Sequence, residues 1–424
     1  MNIHDSEKMI GLLYKNGYAS TENPENADLI IFNTCAIREK AEHKFYSQLG
    51  RAKLLKKKNK DLRIAVAGCV AQDAKEKIFQ KAPYVDYILG PQNIHLLNDL
   101  LSKKQDIAAE ENHSIALNEF TTRRQSNIKA WVSIMYGCNN FCSYCIVPFT
   151  RGREVSRPSS SIISEIKELA SQGYQEVTLL GQNVNSYRSD IGFVDLLKKI
   201  DVMHINRIRF VTSHPRDFSF DLINAFSELG SLCEHIHLPI QSGSDSILKS
   251  MNRGYVYEEY LKKIELLRNK LPDIAITTDI IVGFPDETDE DYSDTVTALK
   301  EIEFDGIFAF KYSKRKGTKA YEMSGQVPDH IKAERLAYIL SLQDEITYQK
   351  NKQLEGAVHE VLIEGPSETD PCLLSGRTRT NKIVTIPNSS ETIGSLIPVR
   401  IHKARHHSLY GENTASETAF ASKQ

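Results

Sequence analysis

Three cysteines in one short loop are the residues of this chain best suited to redox chemistry. Cys138, Cys142 and Cys145 have the spacing C-x3-C-x2-C within Met135-Tyr-Gly-Cys-Asn-Asn-Phe-Cys-Ser-Tyr-Cys-Ile-Val-Pro148. Three thiolates on such a loop can hold three corners of a cubic [4Fe–4S] cluster, which needs four ligands to be closed. The fourth iron is then open to a small molecule. The triplet therefore predicts a cluster that binds a ligand directly.

A zinc site and a set of buried structural thiols are the two alternatives for this triplet. A structural zinc ion needs a fourth ligand, and the nearest histidines along the chain are His113 and His204. A core of reduced thiols is disfavoured because the loop is polar and contains glycine.

Length and composition set the broad class of the protein. A chain of 424 residues with 41% hydrophobic and 25% charged residues is expected to form two to four globular domains. The sequence has no apolar run of membrane-spanning length and no secretory signal, and its seven cysteines are unevenly scattered. We therefore expect a cytoplasmic protein with reduced thiols. The net charge of −2 neither favours nor excludes nucleic acid as a partner.

The N-terminal region, residues 1–104, alternates helices and strands. A helix is predicted from a cap at Asp5 or Ser6 to Gly17, and apolar strands are predicted at 28–34, 63–68 and 84–89. Alternating buried strands and amphipathic helices indicate a parallel α/β sheet.

Cys35 and Cys69 each stand at the carboxyl end of a predicted strand in this sheet. Because neighbouring strands are about 4.8 Å apart, the two thiols can reach one metal centre at the sheet's edge. Free cysteines at strand ends are common, so their spacing alone leaves the simpler interpretation favoured.

The central region, residues 124–353, follows a polar segment at 102–127 that is predicted to be a linker. Six strand–helix units indicate an open, partial (βα)6 barrel with its functional loops at the carboxyl ends of the strands. The cysteine triplet follows the first of these strands. The predicted strands are 131–136, 176–181, 207–213, 234–240, 275–283 and 306–312, and the predicted helices are 160–172, 193–201, 219–229, 257–270 and 288–303.

The C-terminal region, residues 354–415, follows a long polar helix at 329–355 and is predicted to be a small β-barrel. Its predicted strands are 358–363, 372–375, 382–386 and 396–402. The basic stretch Gly376-Arg-Thr-Arg-Thr-Asn-Lys382 suits contacts with RNA backbone and 2′-hydroxyl groups, although taken alone such a stretch is more often a solvated hairpin. Cys233 and Cys372 are expected to be small core residues, and the pair His406-His407 a solvated loop.

The chain resembles the radical S-adenosylmethionine (SAM) methylthiotransferases nearly from end to end. The triplet with Tyr144 before its last cysteine is similar to the radical SAM signature. The other blocks that carry the resemblance are Asn33-Thr-Cys-Ala-Ile-Arg38, Ala67-Gly-Cys-Val70, Leu180-Gly-Gln-Asn-Val-Asn185, Thr212-Ser-His-Pro-Arg216, Leu238-Pro-Ile-Gln-Ser-Gly243, Asp279-Ile-Ile-Val-Gly-Phe-Pro285 and Phe310-Lys-Tyr-Ser-Lys-Arg315.

This resemblance implies two [4Fe–4S] clusters, SAM as cofactor, and an RNA-binding TRAM domain as the C-terminal barrel. In the superfamily the free iron of the first cluster chelates SAM, and the reduced cluster cleaves it to a 5′-deoxyadenosyl radical. Cys138, Cys142 and Cys145 are the implied ligands of that cluster, while Cys35 and Cys69 are implied ligands of the auxiliary, sulfur-bearing cluster.

The sequence departs from the family's pattern at its N-terminus. The family's auxiliary cluster uses three cysteines, the first in a Gly-Cys-Gln-Met-Asn segment after the first strand, and this sequence starts at Met1-Asn2. We therefore expect a sheet without its first strand and an auxiliary cluster lacking one thiolate. An upstream start codon and a truncated gene are the two explanations, and the genomic codons upstream of Met1 distinguish them.

The SAM pocket is expected at two loops that follow barrel strands. The resemblance places the SAM amino group near Gly181, Gln182 and Asn183, with Gln182 in place of a more usual glutamate. It places the adenine and ribose near Asp279 and Gly283. Gln241, Ser242 and Gly243 are weaker candidates for contact with SAM.

The implied activity is methylthiolation of N6-(dimethylallyl)adenosine at position 37 of a tRNA anticodon loop, with a flavodoxin- or ferredoxin-like electron donor and a monomeric enzyme. The alternatives within the same chemistry are methylthiolation of threonylcarbamoyl-adenosine in tRNA or of a ribosomal-protein aspartate. The alternative from another class is a catalytically impaired RNA-binding protein with one cluster. Asn33-Thr-Cys-Ala-Ile-Arg-Glu-Lys40 and the stretch that begins at Met135 resemble the dimethylallyl type more closely.

Overall fold

The protein was analysed as a computed structural model, which describes residues 1–34, 39–112, 114–117, 122–388 and 392–414. The described residues form an N-terminal α/β region, a central partial barrel and a C-terminal β-barrel, and each has apolar core clusters of its own. No helix in these ranges is long and apolar enough to cross a bilayer.

The N-terminal region is built on a parallel sheet with the strand order β1-β2-β3-β4. The strands and helices are β1 Leu29–Thr34, β2 Arg63–Gly68, β3 Tyr87–Leu89, β4 Asp106–Ala108, α1 Asn2–Lys15, α2 Glu39–Lys58, α3 Cys69–Ala74, α4 Lys77–Lys81 and α5 Leu97–Leu101. Strand β4 lies inside the segment predicted to be a linker. Its apolar signal is only the pair Ile107 and Ala108, which is too short to stand out in a polar context.

Helix α1 begins earlier than its predicted cap. Met1 is the N-cap, and Asp5 lies within the first turn, where its carboxylate forms an ion pair with Arg151 at 2.7 Å instead of capping the helix. The predicted end is confirmed: Gly17 has φ +83°, its N–H donates to the Tyr14 carbonyl, and the next N–H, that of Tyr18, donates to the Leu13 carbonyl. This is the Schellman arrangement, which favours glycine.

The central region confirms the six predicted strand–helix units. Two three-stranded parallel sheets, β5-β8-β9 and β10-β11-β12, are linked through a bridge between Ile208 and Leu232. The elements are β5 Lys129–Ser133, β6 Met135–Tyr136, α6 Val147–Thr150, β7 Val155–Ser156, α7 Ser159–Ser171, β8 Glu176–Leu180, α8 Phe193–Asp201, β9 Arg207–Phe210, α9 Phe220–Glu228, β10 His235–His237, α10 Asp245–Ser250, α11 Tyr257–Lys270, β11 Ala275–Val282, α12 Asp289–Ile302, β12 Gly306–Lys311, α13 Lys319–Glu322 and α14 Asp329–Lys352.

The C-terminal region is a closed barrel with the strand order β13-β14-β15-β17-β16. Its strands are β13 Val358–Pro366, β14 Leu373–Thr378, β15 Ile383–Pro387, β16 Leu396–Ala404 and β17 Leu409–Asn413. Strand β17 was not predicted, because its tyrosine, glycine and polar residues lack the alternation of the other four. Cys233 is buried, as expected, whereas Cys372 is exposed, so the prediction that Cys372 is a core residue is wrong.

The C-terminal barrel docks against the amino ends of the central strands through the stretch 376–382. The Arg379 guanidinium contacts both carboxylate oxygens of Glu234, and Lys382 contacts Asp305 at 2.9 Å. These charged groups are therefore engaged within the chain. That the stretch 376–382 contacts RNA stays a prediction.

Candidate active site

The cysteine triplet lies on a loop between the two strands of a short antiparallel hairpin, β6 and β7. The Cys138 N–H donates to the Gly152 carbonyl at 3.2 Å, and the Cys145 N–H donates to the Cys142 carbonyl at 2.9 Å. The loop thus folds back on itself before α6 begins. It follows β5, the first central strand, so the triplet stands at the carboxyl end of the partial barrel, where it was predicted.

The three thiols lie in one largely buried environment. Burial, together with the neighbouring Cys142, raises the pKa of Cys138 to about 11 and that of Cys145 to about 12. The nearby Arg253 guanidinium acts in the opposite direction on both. Because a thiol must lose its proton to bind iron, cluster assembly at this site is coupled to proton release.

Arg253 is a residue of this site that the sequence did not predict. Its side chain is buried, and Nη1 lies 3.4 Å from Cys142 Sγ and 3.4 Å from the Tyr144 hydroxyl. Nη2 donates to the Pro239 carbonyl at 2.7 Å, which fixes the guanidinium beside the triplet. N–H donors near cluster sulfurs are among the means by which a protein sets a cluster's reduction potential.

The alternative that the triplet binds a structural zinc ion depends on which other ligands lie near it. Among the residues that the structure describes, no three His, Cys, Asp or Glu side chains are arranged to hold a metal ion. A tetrahedral zinc site needs its thiolate sulfurs about 3.8 Å apart, given a Zn–S distance of about 2.3 Å. In a cubic cluster each thiolate binds a different iron, so its sulfurs stand further apart. In the described part of the chain, no fourth ligand that would complete a tetrahedral zinc site is therefore grouped with the triplet.

The loop after β8 lies directly against the triplet loop. Gln182 Oε1 accepts a hydrogen bond from the Gly137 N–H at 2.5 Å, and Asn183 Nδ2 donates to Asp217 at 2.7 Å. Near this junction several buried polar atoms have no partner within the described part of the chain. They are Gln182 Nε2, Asn183 Oδ1, Ser213 Oγ and His214 Nε2.

These orphaned atoms are a test of whether a polar cofactor fits here. Buried polar atoms normally have partners, so each unpaired one needs an explanation. Burial, together with nearby cations, lowers the pKa of His214 to about 2, so its ring is a neutral donor or acceptor. Amide, hydroxyl and imidazole groups together suit the amino, carboxylate and ribose groups of a molecule such as SAM. The residues present fit that cofactor.

Tyr144 connects the triplet loop to the end of β11. Its ring packs with an apolar cluster that includes Ile281 and Phe284, and burial raises the pKa of its hydroxyl well above the usual value.

Gly181 is packed closely against Met135, whose Cγ would lie 2.5 Å from an added Cβ.

The second loop predicted to bind SAM is the one at the end of β11, near Asp279 and Gly283. Gly283 follows the end of β11, and an added Cβ there would lie 2.3 Å from Lys332 Cγ, so packing against α14 accounts for this glycine. Asp279 lies in the middle of β11, where its Oδ1 is 3.5 Å from His237 Nε2. The predicted strand 275–283 already contains Asp279, so of these two residues only Gly283 lies beside the end of β11, and their place next to SAM stays a prediction.

Of the two predicted ligands of the auxiliary cluster, the structure describes the surroundings of Cys69. Cys69 is buried at the start of α3, next to the Arg151 guanidinium, and Arg151 also pairs with Asp5. Strands β1 and β2 pair up to Thr34 and Gly68, so the strand ends that precede both cysteines are adjacent. Cys35 itself lies outside the described residues.

Comparisons with known proteins identify the family. The chain matches the "Uncharacterized protein family UPF0004" over residues 1–90, the Radical SAM superfamily over 132–299 and the TRAM domain over 352–413. A tRNA-2-methylthio-N(6)-dimethylallyladenosine synthase of Thermodesulfovibrio yellowstonii is 53% identical over 97% of this chain and 96% of its own. Proteins of the same name from Caldicellulosiruptor saccharolyticus and Syntrophus aciditrophicus are 50% and 48% identical, over 97% and 99% of this chain and 90% and 94% of theirs.

The chain belongs to the tRNA-2-methylthio-N(6)-dimethylallyladenosine synthase family. Among solved structures, the radical S-adenosylmethionine methyltransferase TsrM from Kitasatospora setae has a TM-score of 0.52 and 15% identity, over 83% of this chain and 72% of that chain. At that identity the likeness concerns the fold alone. It agrees with the partial barrel, and the TRAM match confirms the nature of the C-terminal barrel.

In this synthase the glycine before the triplet is fixed by its surroundings. Gly137 has φ +74°, and an added Cβ would lie 2.0 Å from the Arg153 carbonyl oxygen on the returning strand of the hairpin. We predict that Gly137→Ala displaces the loop and lowers the iron bound after anaerobic reconstitution by at least about half. The expected strain is about 1–3 kcal/mol from the backbone alone, before the clash.

Gly173→Ala is the matched control for this variant. Gly173 has φ +85°, and nothing lies within 4 Å of an added Cβ, so the substitution introduces the backbone strain without the clash. It should bind iron as the parent does. Equal iron contents in both variants would show that Gly137 does not determine the position of the triplet.

Proposed function

We propose that this chain replaces the C2–H of N6-(dimethylallyl)adenosine at position 37 of tRNA with a methylthio group. The proposal is carried by the near end-to-end similarity to synthases of that name, together with an intact cysteine triplet at the carboxyl end of the partial barrel. The relatives do not favour the threonylcarbamoyl-adenosine, ribosomal-protein or catalytically impaired alternatives.

The triplet is the proposed holder of the radical SAM cluster. Cys138, Cys142 and Cys145 would each ligate one iron of a [4Fe–4S] cluster and leave the fourth iron for SAM. With one electron, this cluster and SAM supply a 5′-deoxyadenosyl radical that can remove hydrogen from an unactivated C–H bond. No acid–base group of a protein can break that bond directly, so the chain's own task is to bind, orient and shield the reactants.

The residues around the triplet have distinct proposed roles in this task. Gln182 would both hold the triplet loop through Gly137 and offer its amide N–H to SAM, and Asn183 would offer its amide oxygen. Tyr144 would close the apolar side of the pocket. Gly181 is proposed to allow the close approach of this loop, and Gly283 to stand beside the adenosine end of SAM.

Cys35 and Cys69 are the proposed ligands of the auxiliary cluster that carries the inserted sulfur. The Arg151 guanidinium, on the segment that follows the triplet, would lie beside this cluster, because it already contacts Cys69. Iron content tests the assignment. About eight irons per chain are expected if both sites are filled, and about four if only the triplet is filled.

A nucleoside assay tests the activity. The anaerobically reconstituted chain is supplied with SAM, a reductant and one of three substrates: tRNA containing N6-(dimethylallyl)adenosine, tRNA containing threonylcarbamoyl-adenosine, or the ribosomal protein. Mass spectrometry should find the methylthio product with the first substrate alone. Product from either of the others, with none from the first, would overturn the proposal.

The proposed partners follow from the same reaction. The tRNA anticodon loop is the substrate, and its single-stranded bases can turn outward without breaking a duplex. A flavodoxin- or ferredoxin-like protein is the proposed electron donor. We propose that the enzyme acts as a monomer in the cytoplasm, where its tRNA substrate and reduced thiols are found.

A further inference from the structure

One layer of the interior of the partial barrel carries polar side chains, which is unusual for a packed core. Along β10, β11 and β12 the alternate residues Ile236, Ile276, Ile280 and Ala309 belong to or pack on the apolar core under the helices. The residues between them therefore face the inside of the barrel. They include the polar residues His235, His237, Thr277 and Asp279 and the apolar residues Ala275, Ile281 and Phe308.

Three of these interior residues form one cluster across neighbouring strands. His237 Nε2 lies 3.5 Å from Asp279 Oδ1, and its Nδ1 lies 3.0 Å from Thr277 Oγ1. Asp279 and Phe308 are paired in the register of β11 and β12. The Phe308 ring stands edge-on to the His237 ring, with the centroids 5.7 Å apart at an interplanar angle of 74°.

Phe308 is exposed in an unusual place. Its side chain is 56% exposed although it faces the barrel interior from the outermost strand of its sheet. An aromatic ring with a free face, at the open side of a barrel, offers a platform on which a flat ring can stack. Base–aromatic stacking is the common way in which proteins hold an unstacked RNA base.

The cluster lies one layer below the cysteine triplet. His237 is followed two residues later by Pro239, whose carbonyl accepts a hydrogen bond from Arg253, and Arg253 contacts Cys142. Two residues of an extended strand span about 7 Å. A base held at this cluster would therefore sit just beneath the site where the cofactor radical forms.

We propose that Phe308, His237 and Asp279 form the pocket for the target adenine, with Phe308 stacking on the ring and the His237–Asp279 pair binding its N6–H/N7 edge. This inference rests on the proposed function and names the residues that read its substrate. Thr277 can donate to His237 Nδ1, which leaves the Nε2 proton available to N7, while the Asp279 carboxylate can only accept, as N6–H requires. Side chains commonly read adenine through these two atoms.

Binding through the N6/N7 edge of the adenine also leaves the reacting carbon accessible. C2 lies between N1 and N3, on the side of the purine away from N7. A contact with the N6/N7 edge therefore leaves C2 free to face the cofactor. Binding through N1 would instead place a protein group beside the reacting carbon.

Phe308→Ala tests the stacking. The full reconstituted chain is assayed with an anticodon stem-loop that carries N6-(dimethylallyl)adenosine, and kcat/KM for the RNA is expected to fall roughly ten- to a hundredfold. The formation of 5′-deoxyadenosine from SAM without RNA, and the iron content, should stay as in the parent. Phe308→Trp should restore most of the activity, since it restores an aromatic face.

Phe220→Ala is the matched control. Phe220 is also a phenylalanine and is 57% exposed, but it lies at the start of α9 on the outer layer of helices. Its variant should methylthiolate as the parent does. If Phe308→Ala also keeps the parent's kcat/KM, this inference is overturned while the proposed function stands; if the parent itself gives no product, the proposed function fails.

Asp279→Asn and a modified base test the edge contact. The variant should raise KM for the stem-loop about tenfold or more, and KM for SAM should change far less. A rise in KM for SAM with an unchanged KM for the stem-loop would assign Asp279 to the cofactor and overturn its role here. A stem-loop whose adenine has carbon in place of N7 should be a poor substrate of the parent chain, and an unchanged rate would exclude binding through N7.

Discussion

Cys142→Ala is expected to abolish both 5′-deoxyadenosine formation and methylthiolation. Cys142 is the buried member of the triplet and the one that Arg253 contacts. Its loss would leave two thiolates for a cluster that uses three, so the iron would be lost or held without an ordered open corner. The product of SAM cleavage should fall to the background of the chain without iron, as measured by chromatography after anaerobic reconstitution.

Two other cysteines provide controls for this variant. Cys372 is exposed on the C-terminal barrel and Cys233 is buried just before β10, so alanine at either should leave SAM cleavage intact. Buried Cys233→Ala also measures the effect of losing a core sulfur. A Cys142→Ala chain that still produces 5′-deoxyadenosine would refute the assignment of the triplet.

Much of the fold was predictable because its patterns are local. The central strands and helices were found from apolar runs, turns and caps that lie within a few residues of one another. Asp106–Ala108 and Leu409–Asn413 were missed because each is recognised as a strand only through its neighbours: β4 through its pairing with β3, and β17 through β15 and β16.

The residues of the candidate site could be predicted only where they lie close together in the sequence. Cys138, Cys142 and Cys145 lie on one loop, and their spacing indicates a cluster. Arg253 meets Cys142 across 111 residues of chain, and nothing in its own segment indicates that contact. The same holds for His237 and Phe308, which come together only because β10, β11 and β12 are adjacent.

The basic stretch 376–382 shows what composition leaves open. Its two arginines and its lysine have the composition of an RNA-binding surface, but composition does not indicate which groups of the same chain lie next to them. Arg379 and Lys382 contact Glu234 and Asp305 at the amino ends of the central strands, whereas Arg377 lies 3.6 Å from Glu364 within the barrel.

Arg209 is expected to make a large contribution to the docking of the C-terminal barrel. Its buried guanidinium pairs with the buried carboxylate of Glu176 at 2.8 Å and donates to the carbonyls of Thr378 and Arg379 at 2.8 and 2.7 Å. Removing one partner of a buried ion pair leaves the other charge uncompensated, which costs about 3–5 kcal/mol. Arg209→Met should therefore weaken the docking of the barrel by about that amount.

The rate at which a thiol reagent modifies Cys233 measures this effect, with the modified cysteine identified by mass spectrometry. Cys233 is buried, and its neighbours Leu232 and Glu234 are contacted by Arg379 of the barrel, so its thiol should become accessible when the barrel leaves the central region. Arg209→Met should speed this modification strongly, while Lys262→Met, which removes an exposed ion pair with Glu258, should change nothing. The double variant Arg209→Met with Glu176→Leu should recover part of the loss, since it leaves no unpaired carboxylate. Modification as slow in Arg209→Met as in the parent would mean that the other contacts, among them Arg379 with Glu234 and Lys382 with Asp305, hold the barrel by themselves.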